Sequence, residues 1–354
     1  MASSNLIQFF SYAAIMASSI FIPLMAQSFG ASPGVIGMIV GAFNAFYLFS
    51  SYLFGWLADK YGGKLILRLG LLLSVAFFAS QVLAHDLFSL FIVRALAGAA
   101  SGIFPAALAV YAYNEQKGKI GAFSGYGSLG WALGAIVAGF IVSNQAIFGL
   151  SAVFFGLAFF ISLQMEDQPK KQRSTGLLPF RLIKRNFRIY IPYFFRQLGA
   201  QAIWSIFPLY LVFTGADKLW IGIAYFINTG SQFFIMPYVE KYRNLYLINI
   251  GLLCSVLTFT GYALFPHLPV IIFLQLLLAF SYSTLQVGSI QELLGKNMEQ
   301  SAAMSILNSI SNFNAVIGPF LAGALVEYGG FGGLMWLAAG VTFIGLISFT
   351  TVFE

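Results

Sequence analysis

Charge is the scarcest property of this chain. Only 8% of its 354 residues are Asp, Glu, Lys or Arg, against roughly 25% in soluble domains. Hydrophobic residues make up 59%, more than a water-soluble fold can hide, so lipid must solvate much of the surface. Cysteine is limited to Cys254, which excludes a disulfide scaffold. The two histidines, His85 and His267, sit apart in short loops and offer no metal cluster. No nucleophile–base set and no phosphate-binding loop appears, which excludes an enzyme and a self-contained ATP-driven pump. No cofactor and no metal is expected. Met1 to Phe10 carries no basic residue, so no cleavable leader is expected and the first apolar stretch is retained.

What is present is a series of long apolar runs. A bilayer core of about 30 Å needs about 20 apolar residues per helix. The pattern predicts spans near 5–26, 35–57, 64–83, 88–112, 119–142, 147–164, 189–213, 219–239, 245–264, 269–291, 301–326 and 331–352. Membrane strands would need strict alternation, which runs such as Leu65 to Ala84 lack. With the N-terminus inside, every Lys and Arg falls on the cytoplasmic side except Lys218 and the two within spans, Arg94 and Arg196. That asymmetry is the positive-inside rule. It accounts for the net charge of +7 without nucleic acid. The expectation is a multi-pass protein of the plasma membrane with both termini cytoplasmic.

The stretch Met165 to Arg188 is polar and basic. It divides the chain into a first six-helix bundle, 1–164, a cytoplasmic linker, 165–188, and a second bundle, 189–354. The halves echo each other. Asp59-Lys60-Tyr61 closes the second span and Glu240-Lys241-Tyr242 closes the eighth, 181 residues on. His85 and His267 are 182 apart. Gly130-Trp131 in the fifth span is matched by Gly318-Pro319 in the eleventh. Such duplication marks transporters, in which two similar halves rock about a site near the midplane.

Three motifs carry more. Gly55-Trp56-Leu57-Ala58-Asp59-Lys60-Tyr61-Gly62-Gly63-Lys64 lies between the second and third spans. Gly55 would let two helices approach closely, and Gly62 would allow the tight turn. Leu90, Arg94, Gly98 and Gly102 recur every four residues along the fourth span. Gly130-Trp131-Ala132-Leu133-Gly134-Ala135 lies in the fifth. The first resembles the signature loop of the major facilitator superfamily, with Gly63 where a basic residue is usual. The second and third resemble that family's fourth- and fifth-span motifs, with Trp131 in place of Pro and Ala135 in place of the last Gly. The resemblance covers the whole chain. It implies an all-α membrane protein of twelve transmembrane helices in two pseudo-symmetric six-helix bundles. It also implies secondary transport by alternating access, and a gating role for Gly55, Asp59, Lys60, Gly62 and Lys64, echoed by Glu240 and Lys241. The fifth-span motif implies antiport. The same small residues, with Gly98, Gly102, Gly318 and Pro319, equally suit close helix packing.

Polar side chains inside apolar spans point to a transport path. Arg94 is a substrate-anion or proton-relay candidate, or an internal helix cross-link. Arg196, Gln197, Gln201 and Trp204 lie in the seventh span. Asn228 and Gln232 share a face of the eighth, and Gln275 and Asn312 lie in the tenth and eleventh. No carboxylate falls in the middle of a span. Two functions remain open. One is gradient-driven, H+-coupled export of small amphipathic or drug-like compounds. The other is a carrier of small organic anions or polar metabolites that uses Arg94 and Arg196. A transporter-like receptor is a third possibility, opposed by the intact gating loop. The partners expected are the bilayer, a small-molecule solute and H+, with the protein working as a monomer.

Overall fold

The computed structural model describes residues 2–115, 121–165, 180–297 and 300–350. Among them all regular structure is helical, as hydrocarbon demands: a helix satisfies its own backbone donors and acceptors within one segment. The helices run α1 Ser3–Ser19, α2 Ile22–Ser28, α3 Pro33–Tyr61, α4 Gly63–Ser80, α5 Leu87–Ile103, α6 Pro105–Glu115, α7 Gly121–Phe140 and α8 Asn144–Leu163. A short α9, Phe180–Arg185, follows. Then come α10 Phe187–Phe213, α11 Lys218–Val239, α12 Asn244–Leu264, α13 Leu268–Lys296 and α14 Gln300–Thr350.

Nine stretches among the described residues are long and apolar enough to cross a membrane. Two of them are broken helices. Ser3–Ser28 joins α1 to α2, which has Pro23 in its first turn. Leu87–Ala112 joins α5 to α6 across Phe104, where Pro105 cannot continue the backbone ladder. A third, Ile306–Thr350, bends at Gly330 with φ 65°, a left-handed value natural to glycine. The remaining expected segments are the helices α7 and α10. Outward faces are apolar: Phe234 is 75% exposed and Phe273 is 69% exposed. Aromatic faces that open suit lipid and not water.

The chain forms two compact units, each with its own core. Unit 1 comprises Met1–Ala31, Ile39–Ser174 and Asp217–Gly230. Its core gathers Ile7, Leu67, Leu71, Phe78, Phe104 and Phe155, with the rings of Phe78 and Phe155 4.6 Å apart. Unit 2 comprises Ser32–Met38, Thr175–Ala216 and Ser231–Glu354. Its core gathers Tyr190, Tyr193, Ile248, Leu252, Leu285 and Leu307.

Each unit thus takes a short segment from the other half of the sequence, and local contacts say why. In unit 2, Gly34 donates its N–H to Glu327 at 3.0 Å, and a side chain at Gly37 would strike the Pro319 carbonyl. In unit 1, Lys218 donates to the Val142 carbonyl at 2.8 Å and to Asn144 at 3.1 Å. Gly222 lies so close to Gly139 that a Cβ on it would be 3.0 Å from the Gly139 Cα.

Candidate functional site

The interior of unit 2 holds a connected polar chain. It begins on α13, where Ser281 meets Ser255 of α12 at 2.5 Å. Ser255 accepts from the Arg196 Nε at 3.0 Å. Arg196 also donates from Nη1 to the Gln197 Oε1 at 2.8 Å, and its guanidinium lies over the Tyr282 ring at 5.2 Å. Gln197 in turn donates to the Tyr193 hydroxyl at 2.9 Å. That hydroxyl reaches Gln286 Oε1 at 2.7 Å and Ser311 at 3.0 Å. Four helices are tied through one arginine that is only 2% exposed. Interhelical hydrogen bonds of this kind hold membrane bundles together at about 0.6 kcal/mol each. The helical period produces the arrangement: Tyr193 and Gln197 are four apart, hence on one face of α10.

Unit 1 holds a second buried arginine. Arg94, also 2% exposed, donates to Gln81 Oε1 at 3.1 Å and to the Ser19 hydroxyl at 3.1 Å. Its guanidinium sits 4.1 Å from the centre of the Phe43 ring, a cation–π contact. Its Nε has no partner among the described residues. The expected pair of arginines therefore belongs to two separate clusters, one in each unit.

The duplication extends to these bonds. Arg94 and Gln81 link α5 to the end of the third span. Their counterparts 181 residues on, Gln275 and Tyr262, are linked in the same way, Gln275 Nε2 to the Tyr262 hydroxyl at 2.8 Å. A second pair of ties is offset by 182. Glu115 accepts from the backbone N–H groups of Ser3 and Ser4, each at 3.2 Å, and from both hydroxyls. Asn297 accepts from Asn186 at 2.9 Å and Arg185 at 2.8 Å, and donates back to Asn186 at 3.0 Å. The geometry is repeated and the chemistry is not.

Gln201 and Trp204 are half-buried on α10, with the Trp204 ring edge-on to Phe207 at 5.2 Å. Asn312 is half-buried on α14, and Asn228 and Gln232 are buried on α11. Asn228 falls in unit 1 and Gln232 in unit 2. None of these five joins the Arg196 chain through the bonds described above. Sequence reasoning missed Tyr193, Ser255, Gln81, Ser19 and Glu115. The signal for Glu115 was the register of the repeat, which pairs it with Asn297.

The motif glycines act by close approach. A side chain at Gly98 would strike the Phe43 carbonyl and one at Gly102 the Tyr47 carbonyl of α3. On α7, Gly130 and Gly134 face the backbone of Phe9 and Ala13 on α1 in the same way. A Cβ on Gly318 would sit 2.8 Å from the Ala202 nitrogen. Gly55 differs: a Cβ there would meet Ala106 at 3.6 Å, ordinary contact. Among the described residues nothing approaches Gly55 as closely as the motif implies. Gly62, with φ 109°, makes the turn between α3 and α4 alone. The side chains of Asp59 and Lys60 lie outside the described residues, and Lys64 is half-buried. In the echo, Glu240 and Lys241 are exposed, with the Lys241 ammonium 4.0 Å from the centre of the Tyr238 ring.

The family model described as Major Facilitator Superfamily matches residues 5–298 and 189–353. The chain belongs to the major facilitator superfamily. Membership makes it a multi-pass membrane transporter of a small solute rather than an enzyme. It is 28% identical over 360 residues to the quinolone resistance protein NorA of Staphylococcus aureus strain MRSA252, across 92% of this chain and 89% of that one. It is 22% identical over 369 residues to the uncharacterized transporter YqjV of Bacillus subtilis strain 168, which is also described as of this superfamily, across 94% and 88%. The crystal structure of the nucleoside transporter NupG superposes with a TM-score of 0.76 at 14% identity over the full length of both chains, which shows a shared fold.

Proposed function

We propose that this superfamily member exports small amphipathic, drug-like compounds across a plasma membrane by alternating access, driven by a proton gradient. The observation that carries the reading is the end-to-end similarity to a quinolone resistance protein. The polar chain around Arg196 supports it, since buried polar groups in membrane spans mark solute pathways. Twelve crossings with both termini cytoplasmic, and a monomer as the working unit, complete the proposal.

The proton step needs a titratable group. Among the described carboxylates Glu292 is the buried one and the candidate for it. It is 8% exposed near the end of α13, where it accepts from Asn244 at 3.1 Å and pairs with Lys296. It lines a cavity of about 540 Å³ with Arg243, Tyr246, Asn249 and Phe349. The test is reconstitution into liposomes with a trapped pH dye, offering a quinolone and then a lipophilic dye. Solute-driven proton movement is expected in wild type and its loss in Glu292→Gln. No flux of either solute under any imposed gradient would overturn the export reading.

A further inference from the structure

We infer that the solutes this protein carries bear an anionic group, a carboxylate on an amphipathic body. We further infer that Gln286 recognises it through a hydrogen-bond chain oriented by Arg196. The inference rests on the transport reading above and names the substrate class.

The orientation follows from donors and acceptors alone. A guanidinium has only donors. Arg196 Nη1 therefore fixes the Gln197 oxygen as the acceptor of their 2.8 Å bond. That leaves the Gln197 nitrogen to donate to the Tyr193 hydroxyl at 2.9 Å. The hydroxyl has one proton, and its 2.7 Å contact with Gln286 is to the amide oxygen, an acceptor. Tyr193 therefore donates to Gln286, which keeps its NH2 group as the free end of the chain. Gln286 is half-buried, whereas Arg196, Gln197 and Tyr193 are buried. The half-buried end of the chain at Gln286 is thus a donor, set by the Tyr193 contact to its amide oxygen.

The charge of the interior points the same way. Every partner of Arg196 named above is neutral: a serine, an amide and an aromatic ring. Arg94 repeats the pattern with Gln81, Ser19 and the Phe43 ring. The ion pairs among the described residues are His85 with Asp86 and Lys296 with Glu292, and neither arginine takes part. Arginine stays charged in proteins. A buried cation without a carboxylate raises the local potential, and low-dielectric walls focus it. At an effective dielectric constant of about 20 and a distance of about 8 Å, one such charge favours an anion over its neutral analogue by roughly 30-fold. Arg196 is a positioning residue in this scheme, and Gln286 makes the contact.

The experiment compares a quinolone carboxylate with its methyl ester, the same body without the charge. Binding to purified protein is read by tryptophan fluorescence, and flux is read in proteoliposomes. The acid is expected to bind at least about 10-fold more tightly than the ester in wild type. Gln286→Glu, which puts an acceptor and a negative charge at the recognition point, is expected to erase or invert that ratio. Arg196→Gln is expected to bring the ratio near one and Arg196→Lys to restore part of it, a rescue that a role in folding alone would not give. Equal binding of acid and ester by wild type would overturn the inference. So would an unchanged ratio in Gln286→Glu. Selective binding without flux of either compound would leave recognition of the anion by Gln286 standing and overturn the export reading, so the two failures are distinguishable.

Discussion

Glu115 should act as a helix cap supplied from a distant segment, and removing it should loosen unit 1 by a calculable amount. The residue before α1 is Ala2, which offers no side-chain cap. The first N–H groups of a helix have no partner inside it. At α1 the missing acceptor is the Glu115 carboxylate at the end of α6, which takes the Ser3 and Ser4 N–H groups at 3.2 Å each as well as both hydroxyls. A hydrogen bond to a charged group contributes about 1.5–3 kcal/mol, and a negative charge at a helix N-terminus adds to it. Glu115 is only half-buried, so water replaces part of what is lost. The net cost of Glu115→Ala is about 2–3 kcal/mol. For a chain of this length, about 2 °C of Tm per kcal/mol converts that into a fall of about 4–6 °C. Thermal unfolding of the purified protein in one detergent, scanned at one rate, measures it. Glu115→Gln keeps an acceptor and loses the charge, so about half the fall is expected. A Glu115→Ala Tm within about 1 °C of wild type would refute the reasoning, as would a Gln variant as damaged as the Ala variant.

Other expectations follow from the same structure. Gly102→Leu forces a side chain into the Tyr47 carbonyl and Ser50, an overpacking cost of about 1–3 kcal/mol visible as lost monodisperse yield, whereas Gly55→Ala should purify like wild type. Arg68 donates to the last carbonyls of α8, Ser162 at 3.1 Å and Leu163 at 2.9 Å; Arg68→Ala should lower Tm measurably and Arg68→Lys by less. Gln275→Leu strips a buried partner from the Tyr262 hydroxyl and should cost about 1–3 kcal/mol, while Gln275→Leu with Tyr262→Phe recovers most of it in a double-mutant cycle. Bonds from Ser89 to the Asp86 carboxylate hold its pKa below the usual carboxylate range. Its folded value lies below the unfolded one, so its contribution is present at neutral pH and disappears as pH falls through that lowered value; Asp86→Ala should lower Tm at pH 7 and flatten the acid limb of the Tm–pH curve.

Much of the fold was legible because lipid imposes a simple rule, and the apolar runs answer it. Every described segment expected to span is helical, down to the pairs α1–α2 and α5–α6 that read as single runs. Their breaks were less legible, since Pro23 and Pro105 bend a helix without interrupting its apolar composition. Of the site, burial of Arg94, Arg196, Gln197 and Gln275 followed from the cost of a polar group in hydrocarbon. Their partners did not follow, because hydropathy says that a side chain must turn inward and not which helix it meets there. Tyr193 and Ser255 read as ordinary span residues, and only the packing of α10 against α12 and α13 makes them part of one chain. Gly55, which meets Ala106 at ordinary distance among the described residues, shows that a small residue permits close approach without requiring it.

The repeat explains where the asymmetry of function resides. Ser4 and Glu115 correspond to Asn186 and Asn297 at one offset, 182, while Gln81 and Arg94 correspond to Tyr262 and Gln275 at another, 181. In each case the structure needs a bond between the same two helices, and any donor–acceptor pair of suitable reach provides it. Chemistry at these positions was therefore free to differ once the chain had doubled. The first half keeps a cation at position 94 where the second has the neutral Gln275. The second half has a cation at position 196, where subtracting 182 gives Ala14. The helix ties require no charge at either place. Placing one unpaired cation in each unit, at non-equivalent positions, changes the interior potential without changing the scaffold. On this argument Gln275→Arg, which restores symmetry in the second half, should leave the fold in place and strengthen the preference for the acid over its ester. A preference that weakened instead would mean that the geometry of the Arg196 chain, and not the summed charge of the interior, selects the solute.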